Sequence, residues 1–264
     1  MREPPAPFGV TPGSQAEQVG RLILAVALVL FLPALPFGNY LIYPFVILTT
    51  WFHEMGHGLT AMVLGQGFEQ LKIFADGSGI AEHAVSADAS AFTRAMISAG
   101  GPLGPVLAGA GLIIASAHPR AWRPTLWAVS AAILASTIIF VRSPVGFAVL
   151  PLVGAALGLA AWKAPLGLTR FLLQFLGMLG ATSMLSDFNY LFTEQVTLGG
   201  QPILSDTGAI EQALFLPHWV WASLILLVSA AIIGASLKYA LSDKRRIPPP
   251  KKKLPANVLQ FKRK

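Results

Sequence analysis

Seven apolar stretches constrain this chain more than any other feature. They cover residues 22–37, 41–64, 92–117, 122–141, 145–162, 168–192 and 219–241. Most approach the roughly 20 residues that a helix needs to cross a bilayer. The first is short and holds Pro33 and Pro36, which leaves its lower end open. Only 12% of the residues are charged, about half the share usual in soluble chains. A water-exposed surface needs charge to cover it, so lipid suits this sequence better. The expected fold is an all-α polytopic membrane protein of about seven transmembrane helices. It forms one unit over residues 21–241. A Pro- and Gly-rich arm, residues 1–20, and a basic tail, residues 242–264, flank it and read as disordered.

The segments between the spans carry further structure. Residues 67–85 hold Leu71, Ile73 and Phe74, an Asp76-Gly77-Ser78-Gly79 turn and then Ile80. That pattern predicts a small β-hairpin after the second span. Residues 198–217 form a longer loop, in which Ser205-Asp206 can cap a short helix over 207–214. There is no cysteine, which excludes disulfides and Cys-type zinc sites. The net charge of +7 owes much to nine Lys and Arg between residues 244 and 264, directly after an apolar stretch. So placed, it reads as a topology determinant and a contact for anionic lipid, not for nucleic acid. Strict alternation from the N-terminus puts Arg120, Arg123, Lys163, Arg170 and the tail on one side. Glu69, Asp76, Glu82, Asp88, Glu194, Asp206 and Glu211 fall on the other. The positive-inside rule then makes the basic side, with the C-terminal tail, cytoplasmic and turns the N-terminus outward.

The chemistry lies in the second span, which reads Trp51-Phe52-His53-Glu54-Met55-Gly56-His57-Gly58. This is H-E-x-x-H on a helix. Residues four apart share a helical face, so both imidazoles reach one metal ion. Glu54, beside the first ligand, is placed to take a proton from the attacking water. Charged groups at the bilayer centre cost about 2.5–3.5 kcal/mol each on insertion scales. The bland alternative has these three side chains bonded to neighbouring helices without metal. Such a network has no need of this spacing.

A zinc site needs a third protein ligand and an open fourth position. His83 lies in the hairpin, while His118 and His218 sit at span ends and read as interfacial or loop residues. Besides Glu54, only Asp187 is a carboxylate well inside an expected span, at the level of the two histidines. It is the favoured third ligand. Asp206, in the loop on the same side, is its rival, and helix capping is the bland role for its Ser-Asp pair. The third span carries Gly100, Gly101 and Gly104 with Pro102 and Pro105. Small residues permit close helix packing, and the prolines are expected to break the helix and free carbonyls into a polar cavity.

H-E-M-G-H-G in a membrane helix, a following hairpin and a Gly-Pro-rich span resemble the site-2 protease family of intramembrane zinc metalloproteases. The likeness is greatest to its compact branch without a PDZ domain. It covers roughly residues 41–241, with its sharp part at His53–Gly58. It implies one zinc ion held by His53, His57 and an Asp, with Glu54 as general base. Leu204-Ser205-Asp206-Thr207-Gly208 echoes the family's Leu-Asp-Gly ligand stretch only loosely. The function so implied is peptide-bond hydrolysis in a membrane protein or peptide substrate. Two alternatives stand beside it: a metal-binding scaffold without proteolysis, and a transporter using His53, Glu54, His57 and Asp187 as an ion path. A transporter would more readily show internal repeats, and none is visible.

Overall fold

The computed structural model describes residues 15–198 and 201–242. Seven long helices dominate: α1 (Gln15–Phe31), α2 (Gly38–Val63), α3 (Ala91–Ser116), α4 (Trp122–Ile139), α5 (Pro144–Lys163), α6 (Leu166–Ser186) and α9 (His218–Ala240). Two shorter ones, α7 (Phe188–Leu191) and α8 (Asp206–Ala213), lie between α6 and α9. Strands β1 (Gly67–Ile73) and β2 (Gly79–Ala84) form the expected hairpin after α2. A second hairpin, β3 (Gln195–Leu198) with β4 (Gln201–Leu204), was not expected.

Six of the long helices are long and apolar enough to cross a membrane. The seventh, α2, is not among them, because His53, Glu54, His57 and its glycines dilute its apolar residues. Large apolar side chains such as Ile23, Phe31, Ile138, Leu152 and Leu227 lie exposed on the outside. So much exposed apolar surface marks contact with lipid, and the chain is an integral membrane protein.

Three boundaries differ from expectation. Helix α1 starts at Gln15, inside the stretch read as an arm; the rest of that arm, and the tail from residue 243, lie outside the described residues. Helix α3 runs unbroken through Pro102 and Pro105. A proline removes one ladder hydrogen bond, and packing on both sides carries the helix across it. Helix α6 ends at Ser186, so Asp187 terminates a helix instead of lying within one. Ser, Asp and Asn compete with the backbone for hydrogen bonds and favour helix ends.

The start of α1 also departs from strict alternation. Gln15 Nε2 donates to Leu241 O (3.0 Å), and Arg21 Nη1 donates to Gly167 O (2.7 Å). The start of α1 therefore lies with the end of α9 and the start of α6, which alternation had put on the opposite side from the N-terminus. The end of α3 is there too, since the rings of His118 and Tyr239 lie 5.9 Å apart. Arg123 donates to the carbonyls of Ala161, Trp162 and Ala164, tying the start of α4 to the end of α5 on that side.

The hairpin is anchored at the edge of β1. Leu71 N donates to Phe140 O (2.9 Å), Arg142 N donates to Leu71 O (2.9 Å), and Ile73 N donates to Ser143 Oγ (2.9 Å). The turn between α4 and α5 thus satisfies the outer edge of β1. Phe68 stacks on Phe140, with ring centroids 4.2 Å apart. Leu71 and Ile73 are fully buried. The outer edge of β2 pairs with no strand among the described residues.

Candidate metal centre

Helix α2 puts His53, Glu54 and His57 on the face turned toward α3 and the hairpin. His57 Nδ1 lies 2.8 Å from Ile97 O on α3. A carbonyl only accepts, so Nδ1 carries the proton and Nε2 is left as the ligand nitrogen. No motif in the sequence marked Ile97, because its contribution is a backbone oxygen.

Asp206 meets both imidazoles. Its Oδ2 lies 3.0 Å from His53 Nε2, and its Oδ1 lies 3.1 Å from His57 Nε2. The ordering of the two acids expected from sequence is therefore reversed in space: Asp206, not Asp187, stands with the histidines. The capping role foreseen for the Ser-Asp pair falls to Ser205, whose Oγ accepts from Gly208 N (3.0 Å). Ser205 Oγ also donates to Thr193 O (2.5 Å), and Thr207 Oγ1 donates to Leu191 O (2.6 Å). These bonds fasten the start of α8 to the segment after α7 and leave the Asp206 side chain free for the site. Asp206 N donates to Tyr190 Oη (3.1 Å), a partner the sequence reading missed. Both Nε2 atoms face the Asp206 carboxylate, so positive charge at that point, on the rings or on a bound cation, favours its ionised form.

Asp187 lies nearby without joining this trio. It ends α6 and precedes α7, and its carboxylate does not cap α7. With His53, Glu54 and Tyr190 it lines a cavity of about 290 Å³. Thr49, Thr50 and the Gly77–Gly79 turn form one wall of this cavity, and Val196, Thr197 and Ile203 form the other. The second wall comes from the unexpected hairpin. Its signal was present in the sequence as Val196-Thr197-Leu198 and Ile203-Leu204 flanking Gly199-Gly200. Among the other histidines, His118 stands by Tyr239, and His218 Nδ1 lies 2.7 Å from Glu211 Oε2. His83 lies on β2, where burial lowers its pKa.

Two nitrogen ligands and one carboxylate suit zinc. One donor atom from each of His53, His57 and Asp206 falls within 4.8 Å of the others. Tetrahedral ligands about 2.0 Å from an ion stand about 3.3 Å apart, near the nitrogen–oxygen separations of 3.0 and 3.1 Å seen here. The residues present therefore fit one such ion, and the cavity leaves room for a fourth ligand beside Glu54.

Two glycines let the backbone approach this closely. A Cβ at Gly101 would lie 2.1 Å from His57 Nε2 and 2.7 Å from His53 Nε2. A Cβ at Gly79 would lie 2.7 Å from Glu54 Oε1. The same holds where α2 crosses α3, since a Cβ at Gly56 would lie 2.2 Å from Gly100 O. The small residues of α3 thus serve close packing, and that packing brings its backbone onto the imidazoles. Gly101→Ala is expected to weaken zinc binding about 100-fold, the upper range for disturbing the surroundings of a ligand. A competition titration with a chelator measures this, and unchanged affinity would refute the steric argument.

Fold and site together define a multi-span membrane protein with a His-His-Asp cluster and an adjacent glutamate opening on a cleft. The family described as Peptidase M50B-like matches residues 22–236, most of the chain. The chain belongs to that family, the site-2 protease family of peptidases. No curated protein and no solved structure matches it.

Proposed function

We propose that this protein is an intramembrane zinc metalloprotease that hydrolyses peptide bonds of membrane-associated segments. One observation carries the reading: His53, His57 and Asp206 converge beside Glu54, and His53 and Glu54 line a cavity of about 290 Å³. A zinc ion held by these three residues supplies Lewis acidity to the scissile carbonyl and to water. Glu54 takes the proton of the attacking water and passes it to the leaving nitrogen as the C–N bond breaks. His57 keeps its ligand nitrogen turned inward through its bond to Ile97 O. Tyr190 steadies the Asp206 backbone from the cleft side.

A substrate helix hides its carbonyls in its own hydrogen bonds and must unwind before attack. The unpaired edge of β2 supports the proposal that the unwound strand is received by β-addition. The Glu54 carboxylate lies against Gly79 at the start of that strand, so a strand laid there passes next to the general base. The test uses the purified protein in lipid vesicles with synthetic single-span peptides. Cleavage within the span is expected, stopped by a zinc chelator and restored by zinc. Backbone N-methylation on either side of the cut is expected to slow cleavage about tenfold or more, since each methyl removes one donor. Cleavage that persists in chelator would sink the metalloprotease reading. Indifference to N-methylation would sink strand addition alone.

A further inference from the structure

Asp187 is a carboxyl group lining the cleft that the chemistry above does not use. Its side chain makes no hydrogen bond and no ion pair among the described residues. A carboxylate that lines a partly enclosed cavity without a hydrogen-bonded partner carries a desolvation cost. His53, which attracts Asp187 electrostatically, is itself turned to Asp206 at 3.0 Å, and three further cations are committed elsewhere. Lys72 pairs with Glu82 at 2.6 Å, Arg94 donates to Ser86 O and Ala87 O, and Arg142 donates to Ile138 O, Ile139 O and Val141 O. The metal centre does not need Asp187 either. A bound zinc ion would set its double charge against Asp206 and Glu54, which leaves Asp187 as a further acid facing the cavity.

We infer that Asp187 forms a specificity subsite for a basic side chain, so that the cleft selects substrates with Lys or Arg close to the scissile bond. This rests on the proteolytic reading for what fills the cleft. The geometry sets the distance along the substrate. Asp187, His53 and Glu54 line one cavity of about 290 Å³, space for only a few residues of extended chain, so the basic residue lies within about two positions of the cut. The substrate cation gives the carboxylate the partner that the fold withholds, through a charge-assisted hydrogen bond. The other walls offer Thr49, Thr50, Val196 and Thr197, none of which recognises charge.

The experiment uses single-span peptides identical except for Lys, Gln or Glu at each of the two positions on either side of the cut. Cleavage efficiency is measured for wild type, Asp187→Asn and Asp187→Lys, with zinc content measured on the same samples. Binding of the same peptides to Glu54→Gln is followed by fluorescence anisotropy. Wild type is expected to favour Lys over Gln by about tenfold or more at one position, the worth of one hydrogen bond to a charged group. In Asp187→Asn that ratio falls to near one, and in Asp187→Lys the Glu peptide becomes the preferred one, with zinc content unchanged in both. A Lys preference that survives Asp187→Asn overturns the inference, as does an equal loss on all peptides. Cleavage without any charge preference overturns it while leaving the proteolytic reading intact. Charge-selective, Asp187-dependent binding without cleavage by wild type has the opposite meaning.

Discussion

Purified in detergent, the wild-type protein is expected to carry about one zinc ion per chain, and His53→Ala, His57→Ala and Asp206→Ala are each expected to lose it. Asp187→Ala is expected to keep it. The contrast between the two acids follows from their geometry. Asp206 puts one oxygen on each imidazole, at 3.0 and 3.1 Å, whereas Asp187 is absent from the cluster of donor atoms. Disturbing an outer partner of a ligand costs about 10–100-fold in affinity, and removing a ligand itself costs more. Two ligands are too few to hold zinc through purification in competition with buffer. Elemental analysis of the four variants beside wild type decides the matter. Zinc retained in Asp206→Ala and lost in Asp187→Ala would exchange the roles assigned to the two acids. Wild type free of any metal would remove the metal centre altogether.

The second large effect is expected from Glu54→Gln, with cleavage reduced about 10²–10⁴-fold, the usual contribution of a positioned acid–base group. Zinc content is expected to stay at the wild-type level, since Glu54 is not among the three converging ligands. The substitution tests chemistry with little change of structure. Gln has a similar size, which suits the tight contact with Gly79. What it lacks is a group that holds a proton between the water and the leaving nitrogen. Single-turnover cleavage, with zinc measured on the same sample, reads both halves of the prediction. Cleavage by Glu54→Gln at the wild-type rate would assign the base to another residue.

Local pattern alone determined a large part of this protein. Apolar stretches of about bilayer length fixed its solvent and its helices, because in lipid the backbone must satisfy itself within each segment. The four-residue spacing of His53 and His57 put two ligands on one face, because helical periodicity is a local property. The Asp-Gly turn marked the first hairpin for the same reason. The third member of the His53, His57 and Asp206 cluster was not local. Asp206 lies 153 residues from His53, and its availability depends on Ser205 taking the capping bond and on Thr193 and Leu191 anchoring α8. The apolar stretch over residues 168–192 places Asp187 within a span, whereas α6 ends at Ser186, one residue before it. The placement of α1 was equally hidden, because alternation counts crossings and cannot register a bond such as Gln15 to Leu241. Gly101 looked like one small residue among several until α3 was seen to press its backbone onto the imidazoles. The sequence by itself determined which polar groups share one face of α2 and in what solvent they lie. Only the tertiary structure decided which acid joins them and what lines the cleft, because contacts between distant segments are set by packing and have no period to read.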